Sequence, residues 1–157
     1  MRLSRRRRVE YIPRYDPGRE RRAERRAREL MRSIVSPAEY EMYKDLGFIS
    51  VEGGENGSGY AYLLYPHRPI VAYATASGEL LSEYCVAFHD ESEPRLGSRL
   101  PDADDVLAKW MSLRGGERNL IATANMHLPG RQLDPQQVRR DLRALAAWRS
   151  SRREVAA

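Results

Sequence analysis

The spacing of apolar residues changes at Phe48, and this change limits the chain to a mixed fold. Upstream of Phe48, apolar residues recur at intervals of three and four, the spacing of one helical face: Ala23, Ala27, Leu30, Met31 and Ile34. From Phe48 onward they alternate in four short runs separated by segments with glycine or proline: 48–52, 60–65, 70–75 and 80–89. We therefore predict an α+β fold, a small antiparallel meander of about four strands with helices packed on one face.

Two helices precede the strands. The first is predicted over about 18–35, where residues of opposite charge four apart can form ion pairs: Glu24 with Arg28, and Arg25 with Glu29. The second begins at Ser36-Pro37-Ala38-Glu39, which is a capping box with proline at the first helical position. Gly47 is predicted to end it.

Two more helices follow the strands. Asp102 is predicted to cap the third, which ends at Gly115-Gly116 and turns four residues toward the sheet: Val106, Leu107, Trp110 and Met111. Residues 119–126 fit either a short helix or a strand. The last helix begins after Asp134, reaches about Ser150 and turns three residues inward: Val138, Leu142 and Leu145.

With 157 residues the chain has the length of one domain, which we place at 18–150 with the basic helix 18–35 at its start. Residues 1–17 have few apolar groups and are predicted to form a flexible basic arm, and residues 151–157 a C-terminal tail. The single cysteine, Cys85, excludes an internal disulfide and fits a reducing compartment. The sequence has no secretory signal and no run of about 20 apolar residues, so we predict a cytoplasmic protein with no membrane partner.

Charge is distributed unevenly along the chain. Residues 1–32 hold 13 of the 25 arginines and five acidic residues, a net charge of +8. Residues 33–133 carry 8 basic and 14 acidic groups, and residues 134–157 are basic again, with six arginines and three acids. An arginine-dense end without compensating acids is typical of surfaces that bind phosphate backbones.

The candidate nucleic-acid-binding residues form two groups. Arg5 to Arg8 are consecutive and have Glu10 as their only nearby acid, so phosphate binding explains them best. The alternatives are a tail kept for solubility in the arm and a solvated face in the first helix, whose acids can pair its arginines. Eight residues are predicted to contact nucleic acid without reading its sequence: Arg5, Arg6, Arg7, Arg8, Arg21, Arg22, Arg25 and Arg26.

The order of several short motifs resembles that of a known protein type. The basic helix is followed by the Ser-Pro-x-Glu helix ending in Leu46-Gly47-Phe48, and the meander carries Cys85-Val86 and His89. Three further segments match: Leu100-Pro101-Asp102-Ala103-Asp104, Leu107-Ala108-Lys109 and Ala124-Asn125. Over about residues 19–126 the chain resembles a small α+β protein type of actinobacteria and their phages. That type has no assigned activity, so the resemblance implies no catalytic residue.

We predict no catalytic residue, metal or cofactor. Cys85 and His89 lie four residues apart in one predicted strand, so their side chains are about 13 Å apart, too far for a hydrogen bond or a shared metal. His67 and His127 lie in loops beside prolines, and a zinc site would need nearly all of these ligands to converge. Five strand tyrosines could stack unpaired bases, but cross-strand pairing is favoured because acidic residues flank them: Tyr60, Tyr62, Tyr65, Tyr73 and Tyr84.

These patterns predict a non-enzymatic accessory protein that contacts nucleic acid or a nucleoprotein assembly through its arginine-rich N-terminus. The alternative is a protein-interaction module whose Ala, Leu and Met stripe docks on a partner or on a second copy. A third interpretation is a hydrolase that uses Cys85.

Overall fold

A computed structural model describes residues 16–55, 57–88 and 99–157. The described residues form four helices and five strands in an α+β arrangement, which confirms the predicted fold class. The helices are α1 (Arg19–Ile34), α2 (Pro37–Leu46), α3 (Asp102–Thr123) and α4 (Pro135–Ala156). The strands are β1 (Ile49–Glu52), β2 (Tyr60–Leu64), β3 (Ile70–Ala74), β4 (Leu80–Cys85) and β5 (Asn125–His127).

The ends of α2 follow from local hydrogen bonds. Glu39 N–H donates to Ser36 Oγ at 3.2 Å, and Ser36 N–H donates to Glu39 Oε2 at 2.9 Å, so the predicted capping box is present. Gly47 ends the helix with a φ of 82°, a left-handed conformation that costs glycine little. The sequence-based prediction of α2 is therefore confirmed at both ends.

The sheet is an antiparallel meander in the order β1-β2-β3-β4-β5. Its first four strands lie where the alternating runs predict them. The fifth, β5, pairs with β4 through Tyr84 opposite Met126 and Cys85 opposite Asn125. Residues 119–126 are thus partly helix and partly strand, because α3 continues to Thr123 before β5 begins.

The helices cover both faces of the sheet, so the prediction that they pack on one face is wrong. Tyr62, Leu64, Ile70 and Ala72 pack with α1 and α3 in one buried cluster. Their alternate neighbours in the strands pack with α4 in a second cluster: Ala61, Leu63, Val71 and Tyr73. The physical reason is visible in β2 and β3, which are apolar at nearly every position and would expose half of these side chains if one face met water.

The described helix α3 differs from its prediction in three ways. Pro101, not Asp102, is the N-cap, because Asp102 already has helical backbone geometry and its carboxylate faces His67. The helix does not end at Gly115-Gly116: it kinks at Gly116, where the backbone is not helical, and then continues to Thr123. Met111 is 52% exposed, not buried, because Asp105 and Lys109 occupy the inward side of the helix.

Helix α4 extends to Ala156, six residues beyond its predicted end and through most of the predicted tail. Residues 151–156 contain no glycine or proline, so nothing in this segment stops the helix. Val138 and Leu145 are buried against the sheet as predicted, and Leu142 packs beside them. No helix of the described residues is long and apolar enough to cross a membrane.

Candidate nucleic-acid interface

Helix α1 is held on the sheet by one side and turns its arginines outward. Ala27 and Met31 are buried in the cluster shared with α3. The four helical residues predicted to bind nucleic acid are all exposed: Arg21, Arg22, Arg25 and Arg26. The other four, Arg5 to Arg8, lie outside the described residues, as does most of the predicted arm.

Two α1 arginines are engaged with carboxylates. Arg22 pairs with Asp16, and the backbone N–H of Gly18 together with this guanidinium lowers the pKa of Asp16. Arg28 donates to Glu24 Oε1 at 3.0 Å and lies 5.4 Å from the centre of the Tyr43 ring. The hydrogen bond from Arg28 confirms the first of the two predicted i,i+4 pairs.

Four other α1 arginines carry unneutralised charge. Within the part of the chain that the structure describes, no carboxylate lies within ion-pair distance of them: Arg21, Arg25, Arg26 and Arg32. The predicted pair between Arg25 and Glu29 is therefore absent from this part. We call these four residues the α1 arginine face.

Helices cover both sides of the sheet, so the strand tyrosines pack in the two buried clusters, and the hydroxyl groups of four of the five are hydrogen-bonded. Tyr60 and Tyr62 donate to Glu117 Oε1 at 2.9 and 2.7 Å. Tyr65 donates to Asp141 Oδ2 at 2.7 Å. The rings of Tyr62 in β2 and Tyr84 in β4 meet edge to face across the intervening strand β3, with centroids 6.5 Å apart.

A cleft of about 270 Å³ lies beside Glu117 at the kink of α3, with Val51, Leu113 and Arg114 in its lining. The Glu117 carboxylate is already occupied, because Tyr60, Tyr62 and the N–H of Gly54 all donate to it. Burial would raise the pKa of Glu117, but these three donors outweigh burial and lower it. This side chain therefore ties the β1–β2 hairpin to α3.

Cys85 is half-buried, and its Sγ lies 3.5 Å from Gln132 Oε1. His89, the predicted distant neighbour of Cys85, lies outside the described residues, so the predicted separation of the two stays a prediction. No group of three or more His, Cys, Asp or Glu side chains among the described residues is arranged to hold a metal ion.

A buried polar cluster at the β2–β3 turn is the feature that sequence reasoning missed. Lys109 Nζ donates to Tyr65 O at 2.7 Å, to Arg68 O at 2.9 Å and to Asp105 Oδ2 at 2.6 Å. An ammonium has three protons, so all three are used. Two signals pointed to it: Lys109 is one of only two lysines beside 25 arginines, and it lies among the apolar residues of α3.

The same cluster fixes an unusual backbone conformation at His67. This residue has a φ of 55°, and its N–H donates to Asp105 Oδ2 at 2.7 Å. Its Nε2 lies 3.0 Å from Asp102 Oδ1, yet the two atoms are not aligned for a hydrogen bond. Because Lys109 and Asp105 bind only the turn and each other, the cluster holds the loop in place and offers no free nucleophile.

Comparisons with known proteins add no assignment: no family model matches the chain, and no curated protein or solved structure matches it significantly. The resemblance to an actinobacterial and phage protein type therefore stays a prediction.

Proposed function

We propose that this protein is a non-enzymatic accessory protein that binds nucleic acid, free or in a nucleoprotein assembly, through its arginine-rich N-terminal region. The observation that carries the proposal is the α1 arginine face, four exposed guanidinium groups without a carboxylate partner among the described residues. Arg5 to Arg8, upstream of this helix in the sequence, would add four more phosphate-binding side chains.

The spacing of the arginine face supports contact with a phosphate backbone. Arg21, Arg25 and Arg32 follow each other at four and seven residues, so they lie along one side of α1 over about 16 Å. Guanidinium groups bind phosphate oxygens through two parallel hydrogen bonds. Because Ala27 and Met31 anchor the helix to the core, little backbone conformational entropy is lost when the arginines bind.

This mode of binding does not read sequence. Phosphate contacts position a protein on nucleic acid without distinguishing bases. The affinity is then electrostatic and is expected to decrease on the order of a hundredfold or more between about 50 and 200 mM salt, for four to eight phosphate contacts. Similar affinity at both salt concentrations would contradict the proposal.

A pair of matched variants tests the role of the arginine face by fluorescence anisotropy with a labelled duplex. Arg25→Gln with Arg26→Gln removes two unpaired charges, whereas Arg22→Gln with Arg28→Gln removes two charges that already have carboxylate partners. We expect the first variant to lose more affinity and more of the salt dependence than the second. Equal losses would show that net charge alone matters and would reject the α1 arginine face as the binding surface.

A second candidate function is self-association through the apolar side of α1. Leu30 and Ile34 are 49% and 39% exposed, whereas Ala27 and Met31 of the same stripe are buried in the core. Two of the five residues of the predicted docking stripe are therefore used by the fold itself. Analytical ultracentrifugation of the wild type and of the double variant Leu30→Glu with Ile34→Glu tests this candidate. Self-association through α1 requires the wild type to be a dimer and the variant to be a monomer.

A further inference from the structure

Helix α4 carries a second set of exposed arginines. It has six arginines and two acids, Asp141 and Glu154. Asp141 is turned inward, where it accepts hydrogen bonds from the Tyr65 hydroxyl at 2.7 Å and from Gln137 Nε2 at 2.9 Å. The carboxylate of Asp141 is therefore hydrogen-bonded to Tyr65 and Gln137 and not to an arginine of α4.

The α4 arginines differ in how far they are neutralised. Arg152 lies 4.4 Å from the centre of the Trp148 ring and 3.5 Å from Glu41, so it belongs to the packing of α4 on α2. Arg140 reaches Asp134 only at 4.0 Å. In the described segments no carboxylate pairs with Arg139, Arg143 or Arg153. We call four of the five exposed arginines, all except Arg152, the α4 arginine face: Arg139, Arg140, Arg143 and Arg153.

The two arginine faces lie on opposite sides of the sheet. Ala27 and Met31 of α1 pack on one face, and Val138 and Leu145 of α4 pack on the other. Two layer spacings of about 10 Å each place the helix axes roughly 20 Å apart. This distance exceeds the screening length of about 8 Å at physiological salt, so each face attracts a polyanion independently.

We propose that the protein bridges two nucleic-acid segments, one bound to the α1 arginine face and one to the α4 arginine face. A straight duplex that contacts one face cannot reach the other, since the sheet lies between them. One strand wrapped around the domain is disfavoured, because the described residues of segment 35–134, which separates the two helices in the sequence, hold seven basic and twelve acidic side chains. The proposal rests on the proposed function, since it takes the α1 face as the first binding surface.

The experiment is a bead assay at about 50 mM salt, where phosphate contacts are strong. A duplex of about 20 base pairs is immobilised, the full-length protein is added, and retention of a second, fluorescent duplex is measured. Two variants each remove four charges: Arg to Gln at 21, 25, 26 and 32, and Arg to Gln at 139, 140, 143 and 153. Anisotropy with a single duplex measures binding in parallel, and circular dichroism melting confirms that each variant is folded.

The wild type is expected to retain the fluorescent duplex, and each variant is expected to lose at least tenfold of this signal while still binding a single duplex. Bridging by the α4 variant at the wild-type level would overturn the inference, because the second surface would then be the N-terminal arm or a second copy of the chain. A wild type that binds one duplex but does not bridge would overturn this inference alone. A wild type that binds no duplex would overturn the proposed function as well.

Discussion

Lys109 and Asp105, one turn apart on α3, form an ion pair of 2.6 Å whose side chains are only 1% and 5% exposed. The other lysine of the chain, Lys44, forms a pair of the same length with Glu41, but those side chains are 50% and 36% exposed. Each pair joins a lysine ammonium to a carboxylate at the same distance, and the pairs differ in burial and in the two carbonyls that Lys109 also reaches. Removing one partner of a buried pair leaves an uncompensated charge, whereas an exposed charge returns to water.

We predict that Lys109→Met lowers the free energy of unfolding by about 3–5 kcal/mol, since it leaves Asp105 buried without its cation and removes the donor to two carbonyls of the β2–β3 turn. Lys44→Met is the control and should leave the urea midpoint almost unchanged. Equal midpoints for the two variants would mean that the buried pair does not hold the turn.

Stability is predicted to decrease steeply above pH 10. Burial raises the pKa of Tyr43, Tyr62 and Tyr65 above the ordinary value of 10.0, and Glu117 and Asp141 add to the effect at Tyr62 and Tyr65. Above pH 10 the unfolded chain loses these protons while the folded chain keeps them, so each tyrosine destabilises the fold by about 1.4 kcal/mol per pH unit.

Lys109 acts with the opposite sign over a limited range. Burial lowers its pKa despite the hydrogen bond to Asp105, so between that lowered value and 10.5 the unfolded chain binds the extra proton and stability rises with pH. Thermal melts across this range measure the combined effect of Lys109 and the three tyrosines on stability. Tyrosinate absorbance is a second signal. Tyr62→Phe should remove one tyrosine's share of the decrease above pH 10, and an unchanged slope would refute the assignment.

Glu39 is predicted to stabilise the fold at neutral pH and to lose this effect in acid. Burial would raise its pKa, but hydrogen bonds from Trp110, Ser36 and Arg114 outweigh burial and lower it. The stabilisation is therefore present above the ordinary value of 4.5 and lost as pH falls through the lower folded pKa. Glu39→Gln should cost about 1–3 kcal/mol at neutral pH and flatten the acid limb of the stability profile.

Two neighbouring residues on α3 test the rotation of the helix that the structure reveals. Trp110 packs against the core and donates from its indole to Glu39 Oε1 at 3.0 Å, so Trp110→Ala should cost about 3–5 kcal/mol. Met111 is 52% exposed, and Met111→Ala should cost less than about 0.5 kcal/mol. Chemical denaturation of both variants measures the two losses in the free energy of unfolding. A large loss for Met111→Ala would support the helix orientation predicted from the sequence.

Cys85 is predicted to react slowly with iodoacetamide in the folded protein and quickly after denaturation. Thiol reactivity requires access to the reagent, and Cys85 is half-buried in β4 with its Sγ beside Gln132. Cys85→Ser should keep the fold at a modest loss of stability. Rapid labelling of the native protein by mass spectrometry would favour the hydrolase interpretation instead.

The sequence by itself determined the elements whose signals are local. The capping box Ser36 to Glu39 and the stop at Gly47 set α2, since the bonds that define them join residues at most four apart. The 3.6-residue stripe through Ala27 and Met31 placed α1 and turned its arginines outward. Short apolar runs bounded by segments with glycine or proline located the first four strands, and these are also local signals.

Only the tertiary structure decided which side of the sheet each helix covers and which polar residues are buried. Glu83 binds the backbone N–H groups of Gly130, Gln132 and Leu133, and so fixes the loop that leads into α4. Lys109 is buried because carbonyls of the β2–β3 turn, more than forty residues away in the chain, surround its ammonium. These contacts join residues far apart in sequence. Their energies depend on burial that arises only when the helices and loops pack on the sheet, so the spacing of nearby residues does not predict them.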